Sequence, residues 1–202
     1  MFEVKPENYM SNTNHGTNNF IITKYDKLSD NIKQISFEIS VLAGEIWREH
    51  YTSIIGSEQV EYMLDKFQSE KQIYEDIMNN GFVYFTAESI DHTVNTGISG
   101  NIKHNKLTGY AACVPKEDYL HLSKLYVHKD YRKNGISRCI IDEMVALCKS
   151  RYGLNKIRLY VSKINDGSIA AYIKMGFKNV DTIMINIGND FYMDDYVMEL
   201  II

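Results

Sequence analysis

The stretch Leu122–Ser137, LSKLYVHKDYRKNGIS, changes its pattern of apolar residues midway. Residues 122–127 are rich in apolar side chains and end in a β-branched valine, which is typical of a buried strand. From Ile136 onward the apolar residues recur at helical spacing, at Ile140, Met144 and Leu147. The stretch therefore predicts a strand, a basic turn and a helix, in that order.

The predicted turn combines positive charge with small residues. Arg132, Lys133 and Arg138 surround Gly135, and the small Ser137 follows at the start of the helix. Backbone N–H groups at a helix N-terminus attract anions, and glycine allows a ligand to approach the backbone closely. The turn therefore predicts a phosphate site, with a solvated basic loop as the alternative.

The composition is that of an ordinary globular protein. Of the 202 residues, 45% are hydrophobic and 24% are charged, and the chain has only 2 prolines. This length favours a single domain with one core. The net charge of −4 gives no overall field that would draw the chain to nucleic acid or to anionic lipid, so we expect neither partner.

The cysteines and the beginning of the chain indicate a reducing compartment. Cys113, Cys139 and Cys148 stand in apolar surroundings without metal-ligand spacing, so we expect buried thiols and no metal. Residues 1–19 form a polar N-terminal tail without the apolar run of a signal peptide, and no run approaches the roughly 20 residues of a membrane span. We therefore expect a cytoplasmic protein.

The rest of the chain predicts a mixture of strands and helices. A helical region from about residue 32 to 80 comes in three pieces, with Ser29 or Asp30 as the first N-cap and a capping box at Ser69 and Gln72. Further helices are predicted at 135–152 and 166–175, and residues 88–105 stay unassigned. Strands are predicted at 20–25, 82–87, 106–114, 122–127, 157–161, 180–187 and 196–202. This order indicates an α+β fold, a mixed α/β sandwich whose neighbouring strands are mostly antiparallel.

A second stretch, NDGSIAAYIKMGF at residues 165–177, follows a predicted strand. Asn165 or Asp166 can cap the short helix, and Tyr172 falls about two turns later. Taken alone, Tyr172 is more simply explained as half-buried packing on an amphipathic helix, which is the commoner role of a helical tyrosine.

Together the two stretches resemble the GNAT superfamily of N-acetyltransferases. In that family a turn of pattern Arg/Gln-x-x-Gly-x-Gly/Ala binds the pyrophosphate of acetyl-coenzyme A. Arg132 and Gly135 match it, and Ser137 stands where Gly or Ala is usual. The second half of the family signature is matched by Asn165, Tyr172, Lys174, Gly176 and Phe177. The resemblance implies a single domain over residues 20–202, with a twisted sheet of about seven strands flanked by helices.

The resemblance also implies roles for individual residues. The main chain at Leu125 and Val127 would bind the pantetheine and the thioester, and an N–H donor at Val127 would stabilise the oxyanion by about 3 to 4 kcal/mol. Asn165 would hold the pantetheine arm, and Tyr172 would protonate the departing thiolate. The implied cofactor-binding residues are Leu125, Tyr126, Val127, Arg132, Lys133, Asn134, Gly135, Ile136, Ser137, Arg138, Asn165, Tyr172 and Lys174.

A base for the acceptor amine is suggested by His121. Many members of the family carry a glutamate at the matching position of the strand. Strand alternation would put His121 on the same face as Leu125 and Val127, and a neutral imidazole can accept a proton near pH 7. A surface histidine at the start of a strand is the alternative interpretation.

The acceptor itself is not determined by the sequence. Family members build the acceptor site from the helical region and the late strands, where Trp47–Tyr51 and the acidic residues Asp190, Asp194 and Asp195 lie. Carboxylates suit a cationic amine, such as a polyamine or a peptide amine, although a solvated acidic rim is the simpler explanation. The sequence therefore predicts transfer of an acetyl group from acetyl-CoA to a primary amine by direct attack in a ternary complex, in a protein that can form a homodimer. The alternative is a non-catalytic acyl-CoA-binding sensor or assembly module.

Overall fold

A computed structural model describes residues 20–90 and 106–202 of the chain. Within them the elements are β1 (Phe20–Tyr25), α1 (Ile32–Ile55), α2 (Ser57–Gln68), α3 (Glu70–Met78), β2 (Val83–Ser89), β3 (Lys106–Pro115), β4 (Leu120–Val127), α4 (Ile136–Tyr152), β5 (Lys156–Ser162), α5 (Asp166–Lys174), β6 (Lys178–Gly188) and β7 (Phe191–Ile201). A 3₁₀ turn at Lys129–Tyr131 precedes α4. Most of the unassigned stretch 88–105 and the whole of the predicted tail 1–19 lie outside the described residues.

The strands form one sheet in the order β1-β2-β3-β4-β5-β7-β6. Pairing is antiparallel at β1–β2, β5–β7 and β6–β7, and parallel at β4–β5, which α4 connects as a crossover helix. The predicted α+β class and the mostly antiparallel sheet of seven strands flanked by helices are confirmed.

The chain divides into two compact units. Of the described residues, 20–90, 106–111 and 125–140 belong to the first unit, and 112–124 and 141–202 belong to the second unit. The boundary therefore passes through β3, β4 and α4. The single domain over residues 20–202 stays a prediction.

In the first unit, α1 buries the apolar stripe that its sequence predicts. Ile35, Ile39, Leu42 and Ile46 are all buried at helical spacing. The predicted N-cap is wrong, because Asn31 holds that position at φ 58° and makes no side-chain capping bond. The hydroxyl of Ser29 instead accepts a bond from the N–H of Asp26, at 3.0 Å, in the preceding turn.

Two buried tyrosines in the first unit bond to the helical region. Tyr84 of β2 donates to Oδ2 of Asp76 at 2.9 Å, and Tyr110 of β3 donates to Oε1 of Gln68 at 3.2 Å. These bonds satisfy polar atoms that burial would otherwise leave without water. Only half of the predicted capping box at the start of α3 is present, since Oγ of Ser69 accepts from the N–H of Gln72, whereas the side chain of Gln72 donates to Oδ1 of Asp76.

In the second unit, β5 alternates cleanly between two faces. Ile157, Leu159 and Val161 are buried on one face, and Arg158 and Tyr160 lie on the other. The β6–β7 hairpin turns at residues 189 and 190, which have φ of 52° and 59°. Two consecutive left-handed residues are typical of a tight type I′ turn, so both strands extend further towards the turn than the sequence predicts.

No helix in residues 20–90 and 106–202 is long and apolar enough to cross a membrane.

Candidate functional site

The basic turn of the first unit has an unusual backbone. Lys133 and Gly135 both adopt left-handed angles, with φ of 67° and 82°. Such angles are costly for a residue with a side chain, and they are often retained at ligand sites. A Cβ built on Gly135 would meet nothing within 4 Å. Gly135 is therefore needed for its backbone angle, and it leaves open space beside the start of α4.

The other residues of the turn differ in exposure. Lys133, Asn134 and Arg138 are exposed, and Ser137 is half-buried. Ile136 is only 2% exposed, so its side chain packs in the core and only its main chain could meet a ligand at the surface. The structure thus brings the predicted phosphate-binding residues together in one turn, as the sequence motif requires.

Arg132 already has two partners in this turn. Its Nε donates to the carbonyl oxygen of Val127 at 3.0 Å, and its Nη2 lies 3.1 Å from Oε2 of Glu49 on α1. The side chains of Arg132 and Glu49 are each 37% exposed. The sequence alone does not pair Arg132 with Glu49, because the two residues lie far apart in the chain. The guanidinium group therefore connects the end of β4 to α1.

The backbone of β3 approaches the end of β4 closely and bonds to it. A Cβ added to Gly109 would lie 3.0 Å from the carbonyl oxygen of Tyr126 and 3.3 Å from Cγ2 of Val127. The N–H of His128 donates to the carbonyl of Thr108 at 2.8 Å. Gly109 is not among the residues predicted from the sequence, although an isolated glycine inside a strand pattern is a signal of close backbone approach.

The side chain of Tyr126 belongs to an aromatic cluster. Its ring centroid lies 5.6 Å from that of Trp47 and 5.3 Å from that of Tyr110, and Trp47 packs at 4.6 Å from Tyr51. Trp47 is only 4% exposed. The part of Trp47–Tyr51 that the sequence associates with an acceptor therefore includes packing residues of the first unit.

Asn165 in the second unit caps α5. Its Oδ1 accepts from the N–H of Ser168 at 3.2 Å, and its own N–H donates to the carbonyl of Ser162 at 2.9 Å. The sequence left Asn165 and Asp166 open as the cap, and the structure selects Asn165. This capping fixes the turn between β5 and α5.

Tyr172 and Lys174 lie in the last turns of α5. The Tyr172 ring is half-buried and packs edge-on against Phe177, with centroids 5.5 Å apart. Lys174 is exposed at the C-terminal end of the helix, where a positive charge complements the helix dipole. The structure thus gives Tyr172 a fixed ring, which suits either packing or proton donation.

His121 lies on β4 in the second unit and is partly buried. Its ring centroid is 4.9 Å from that of Tyr160, and Nδ1 has no hydrogen-bond partner in the described part of the chain. Burial lowers the pKa of His121 to about 4, and the charge of Lys116 adds to this. The imidazole is therefore neutral at pH 7 but holds a proton weakly.

The burial pattern of β4 does not support the prediction that His121 lies on the same face of the strand as Leu125 and Val127. Leu120, Leu122 and Lys124 are buried in alternation, but the next buried residue is Val127 and not Tyr126. Strict alternation therefore breaks after Lys124, and it cannot place His121 and Val127 on one face. The role of His121 as base stays a prediction.

The three late aspartates differ sharply in environment. Asp190 is exposed in the hairpin turn, and Oδ1 of Asp194 lies 2.5 Å from Nζ of Lys163. Asp195 is only 5% exposed, and no hydrogen bond to its carboxylate comes from the described residues. Burial raises the pKa of the Asp195 carboxyl to about 6; the charge of Asp194 adds to this and Lys163 opposes it. The sequence alone does not distinguish these three aspartates.

A groove of about 560 Å³ lies on the second unit's sheet face formed by β5, β7 and β6. Its walls carry Arg158, Tyr160, Ile183, Val197 and Glu199, among others. Arg158 pairs with Glu199 across the strands, and its guanidinium lies 4.2 Å from the ring centroid of Tyr119. No group of three or more His, Cys, Asp or Glu side chains that could hold a metal occurs in residues 20–90 and 106–202.

Several solved acetyltransferase structures share this fold. A PaiA N-acetyltransferase from Thermoplasma acidophilum, in complex with coenzyme A, is 21% identical and has a TM-score of 0.65, with 90% of this chain and 99% of that one covered. NAA60 from Arabidopsis thaliana, in complex with a bisubstrate analogue, is 16% identical with a TM-score of 0.55, covering 90% and 99%. A chimera of the spermidine N-acetyltransferase SpeG from Vibrio cholerae and hSSAT is 16% identical with a TM-score of 0.56, covering 89% and 95%.

No curated protein sequence matches the chain. The sequence profile described as "Acetyltransferase (GNAT) family" matches residues 55–177, which is more than half of the chain and includes both motif stretches. With the seven-stranded sheet, the left-handed turn before α4 and the Asn165 cap of α5, this match shows that the chain belongs to the GNAT family of acetyltransferases and is an acyltransferase.

Proposed function

We propose that the protein transfers an acetyl group from acetyl-CoA to a primary amine by direct attack in a ternary complex. The observation that carries this proposal is the turn at residues 132–137, with left-handed angles at Lys133 and Gly135 immediately before α4. This is where the family binds pyrophosphate. Membership of the family and the neighbours that bind coenzyme A or a bisubstrate analogue support it.

In this proposal the cofactor is held mainly by the main chain. N–H groups at the start of α4 would bind the pyrophosphate, and the open space beside Gly135 suits a ligand of that size. Lys133 and Arg138 would add exposed positive charge. Asn165 is proposed to hold the pantetheine arm, and Lys174 is proposed to be a further cofactor-binding residue.

Bound acetyl-CoA would supply the activated acetyl thioester. The N–H of Val127 is proposed to stabilise the oxyanion, and Arg132 supports this peptide region by bonding the carbonyl of Val127. The hydroxyl of Tyr172 is proposed to protonate the leaving thiolate, since an ordinary phenol is a competent donor to a thiolate. His121 remains a candidate base, although its low pKa makes it a weak proton acceptor.

The acceptor proposed is a small primary amine, such as a polyamine, or a peptide amine. A chimera with this fold is named as a spermidine N-acetyltransferase, which makes spermidine a reasonable first acceptor to test. We propose that the protein works in the cytoplasm. A homodimer is proposed as its assembly, which the mass of the purified protein in solution would test.

The experiment that tests the proposed function has two parts. Acetyl-CoA, but not acetate, should raise the melting temperature of the purified protein. Thiol release from acetyl-CoA should then rise with at least one amine in a panel of spermidine, n-butylamine, kanamycin and an alanyl peptide. Stabilisation without thiol release would favour an acyl-CoA-binding module, and the absence of both would refute the proposal.

A further inference from the structure

We propose that Asp195 is the carboxylate that binds the ammonium group of the acceptor and takes its proton. This inference rests on the proposed function and extends it to a residue of the second unit that the family motifs do not include.

The position of Asp195 is the first argument. In the sheet, Asp195 on β7 lies opposite Ser162 on β5 and opposite Ile183 on β6. The carbonyl of Ser162 accepts the N–H of Asn165, at 2.9 Å. Asp195 therefore lies beside the turn whose asparagine is proposed to hold the pantetheine arm.

The isolation of the carboxylate is the second argument. Asp195 is only 5% exposed, and in the described part of the chain no donor reaches its oxygens. Lys163, whose charge acts on Asp195, is bound to the neighbouring carboxylate, with Nζ 2.5 Å from Oδ1 of Asp194. The main-chain N–H of Lys163 also donates to the carbonyl of Asp194, at 3.1 Å. Burying a carboxylate without a partner is unfavourable, so a cationic ligand would relieve a cost that the free protein carries.

The groove on the same sheet face is the third argument. Paired residues on neighbouring strands point to the same side of a sheet, and Ile183, the partner of Asp195, lines the groove. Val197, two residues along β7 and therefore on the same face, lines it as well. The groove thus reaches Ile183 and Val197, the cross-strand partner and the same-face neighbour of Asp195, although Asp195 itself does not line it. In the proposal, the chain of an extended amine lies in the groove and its ammonium group lies at the carboxylate.

The charges around Asp195 suit proton transfer at neutral pH. Asp194 on β7 and Lys163 at the end of β5 are the charged groups that act on it, while its partner on β6, Ile183, is apolar. Burial raises the pKa of Asp195 to about 6. The group is therefore ionised at pH 7, yet it is a much stronger base than an ordinary aspartate.

The proton and bond changes balance with Asp195 as acceptor. Asp195 takes one proton from the ammonium group, and the freed lone pair forms the N–C bond with the thioester carbonyl carbon. The C–S bond then breaks, and Tyr172 gives its proton to the sulfur. The second proton lost by the nitrogen returns to Tyr172, and Asp195 releases its own proton to solvent. One ammonium and one thioester thus yield one amide, one thiol and one proton.

Substitution gives the kinetic test. Asp195→Asn should lower kcat/KM for the accepted amine by about 100-fold, and it should remove the rise of kcat/KM near pH 6. The affinity for acetyl-CoA should stay unchanged. Asp30→Asn is the matched control, because Asp30 is an exposed aspartate in the turn before α1, away from the acidic residues of the late strands. If Asp195→Asn retains the kcat/KM and pH profile of this control, the proposal is refuted.

A titration of the wild-type protein gives a test that needs no turnover. The carboxyl carbon of Asp195 is followed by NMR against pH, with and without each amine of the panel, and Asp195→Asn identifies the signal. Any amine that binds should move the titration to lower pH, because an ammonium group stabilises the carboxylate. If no amine moves it, the proposal is refuted, whether or not thiol is released. A shift without thiol release would retain Asp195 as the ammonium site while refuting acetyl transfer.

Discussion

The two units differ in how they hold a charged residue that the proposed function uses. In the first unit, Arg132 is half-exposed and already bonded to Glu49 and to the carbonyl of Val127. In the second unit, Asp195 is buried and has no hydrogen-bond partner in the described residues. A half-exposed ion pair contributes about 0 to 1 kcal/mol and is easily rearranged, whereas an isolated buried carboxylate is costly.

This difference indicates that the turn of the first unit and the buried carboxylate of the second unit have different roles. In the turn of the first unit Arg132 is already paired, so we expect the ligand to meet mainly the N–H groups of the backbone. Where a buried charge lacks a partner, the ligand itself can supply the opposite charge. We therefore expect substitutions in the turn of the first unit to affect cofactor binding, and substitutions in the second unit to affect the chemical step.

The largest effect should come from Tyr172 in the second unit. Tyr172→Phe removes the proposed proton donor, so kcat should fall by about 100-fold while the Kd for acetyl-CoA changes little. Tyr192→Phe, at an exposed tyrosine of β7, is the control and should behave like the wild type. Steady-state kinetics and calorimetric binding measure the two quantities. An unchanged kcat would leave Tyr172 with a packing role against Phe177.

The next largest effect should be that of Asp195 on the pH dependence of the free energy of unfolding. The pKa of Asp195 is raised from 3.8 to about 6, so the folded state binds the proton more tightly and loses stability as the pH rises through this range. Relative to the wild type, Asp195→Asn should therefore gain about 2 kcal/mol in free energy of unfolding between pH 4 and pH 8. Denaturant unfolding at both values measures this gain. Asp30→Asn should show no such dependence, and an equal response of both variants would contradict the isolation of Asp195.

In the turn of the first unit, Gly135→Val should weaken acetyl-CoA binding by about tenfold, because a β-branched residue disfavours the left-handed angle by about 1 to 2 kcal/mol. Gly153→Val is the matched control, since Gly153 has a φ of 63° and equally open surroundings after the end of α4. Both variants should lose similar stability in thermal unfolding. Equal cofactor affinities would place the pyrophosphate elsewhere.

The smallest effect should come from the ion pair of Arg132. Glu49→Gln frees the guanidinium group for phosphate, so the affinity for acetyl-CoA should rise about twofold at low salt. Glu61→Gln breaks the exposed pair with Arg48, where Nε and Oε1 are 2.7 Å apart, and should leave the affinity unchanged. Weaker binding by Glu49→Gln would instead mean that Glu49 positions Arg132 for the cofactor.

Local patterns predicted most of the fold. The boundaries of β1 were predicted to the residue, and the two motif stretches lie where the sequence places them, because hydrophobic period, capping and glycine turns depend on neighbouring residues. The N-cap of α1 was wrong because Ser29 bonds to Asp26 instead. The extra length of β6 was missed because this strand is mostly exposed and lacks an alternating pattern.

The candidate site was less predictable wherever it depends on long-range contacts. The environments of Asp190, Asp194 and Asp195 are set by the register of β5, β7 and β6, which the sequence does not determine. The pairing of Arg132 with Glu49 depends on the tertiary arrangement of the first unit. The low pKa of His121 likewise follows from burial, which no local pattern reveals.

The close contact at Gly109 has a consequence for the evolution of this chain. The carbonyl of Tyr126 and the N–H of Val127 belong to one peptide group, so a methyl group at position 109, 3.0 Å from that oxygen, would push on the proposed oxyanion donor itself. A backbone carbonyl cannot move away from the added methyl group as the end of a flexible side chain could. Homologues that keep the activity should therefore keep glycine at this position, even where the neighbouring residues of β3 are substituted.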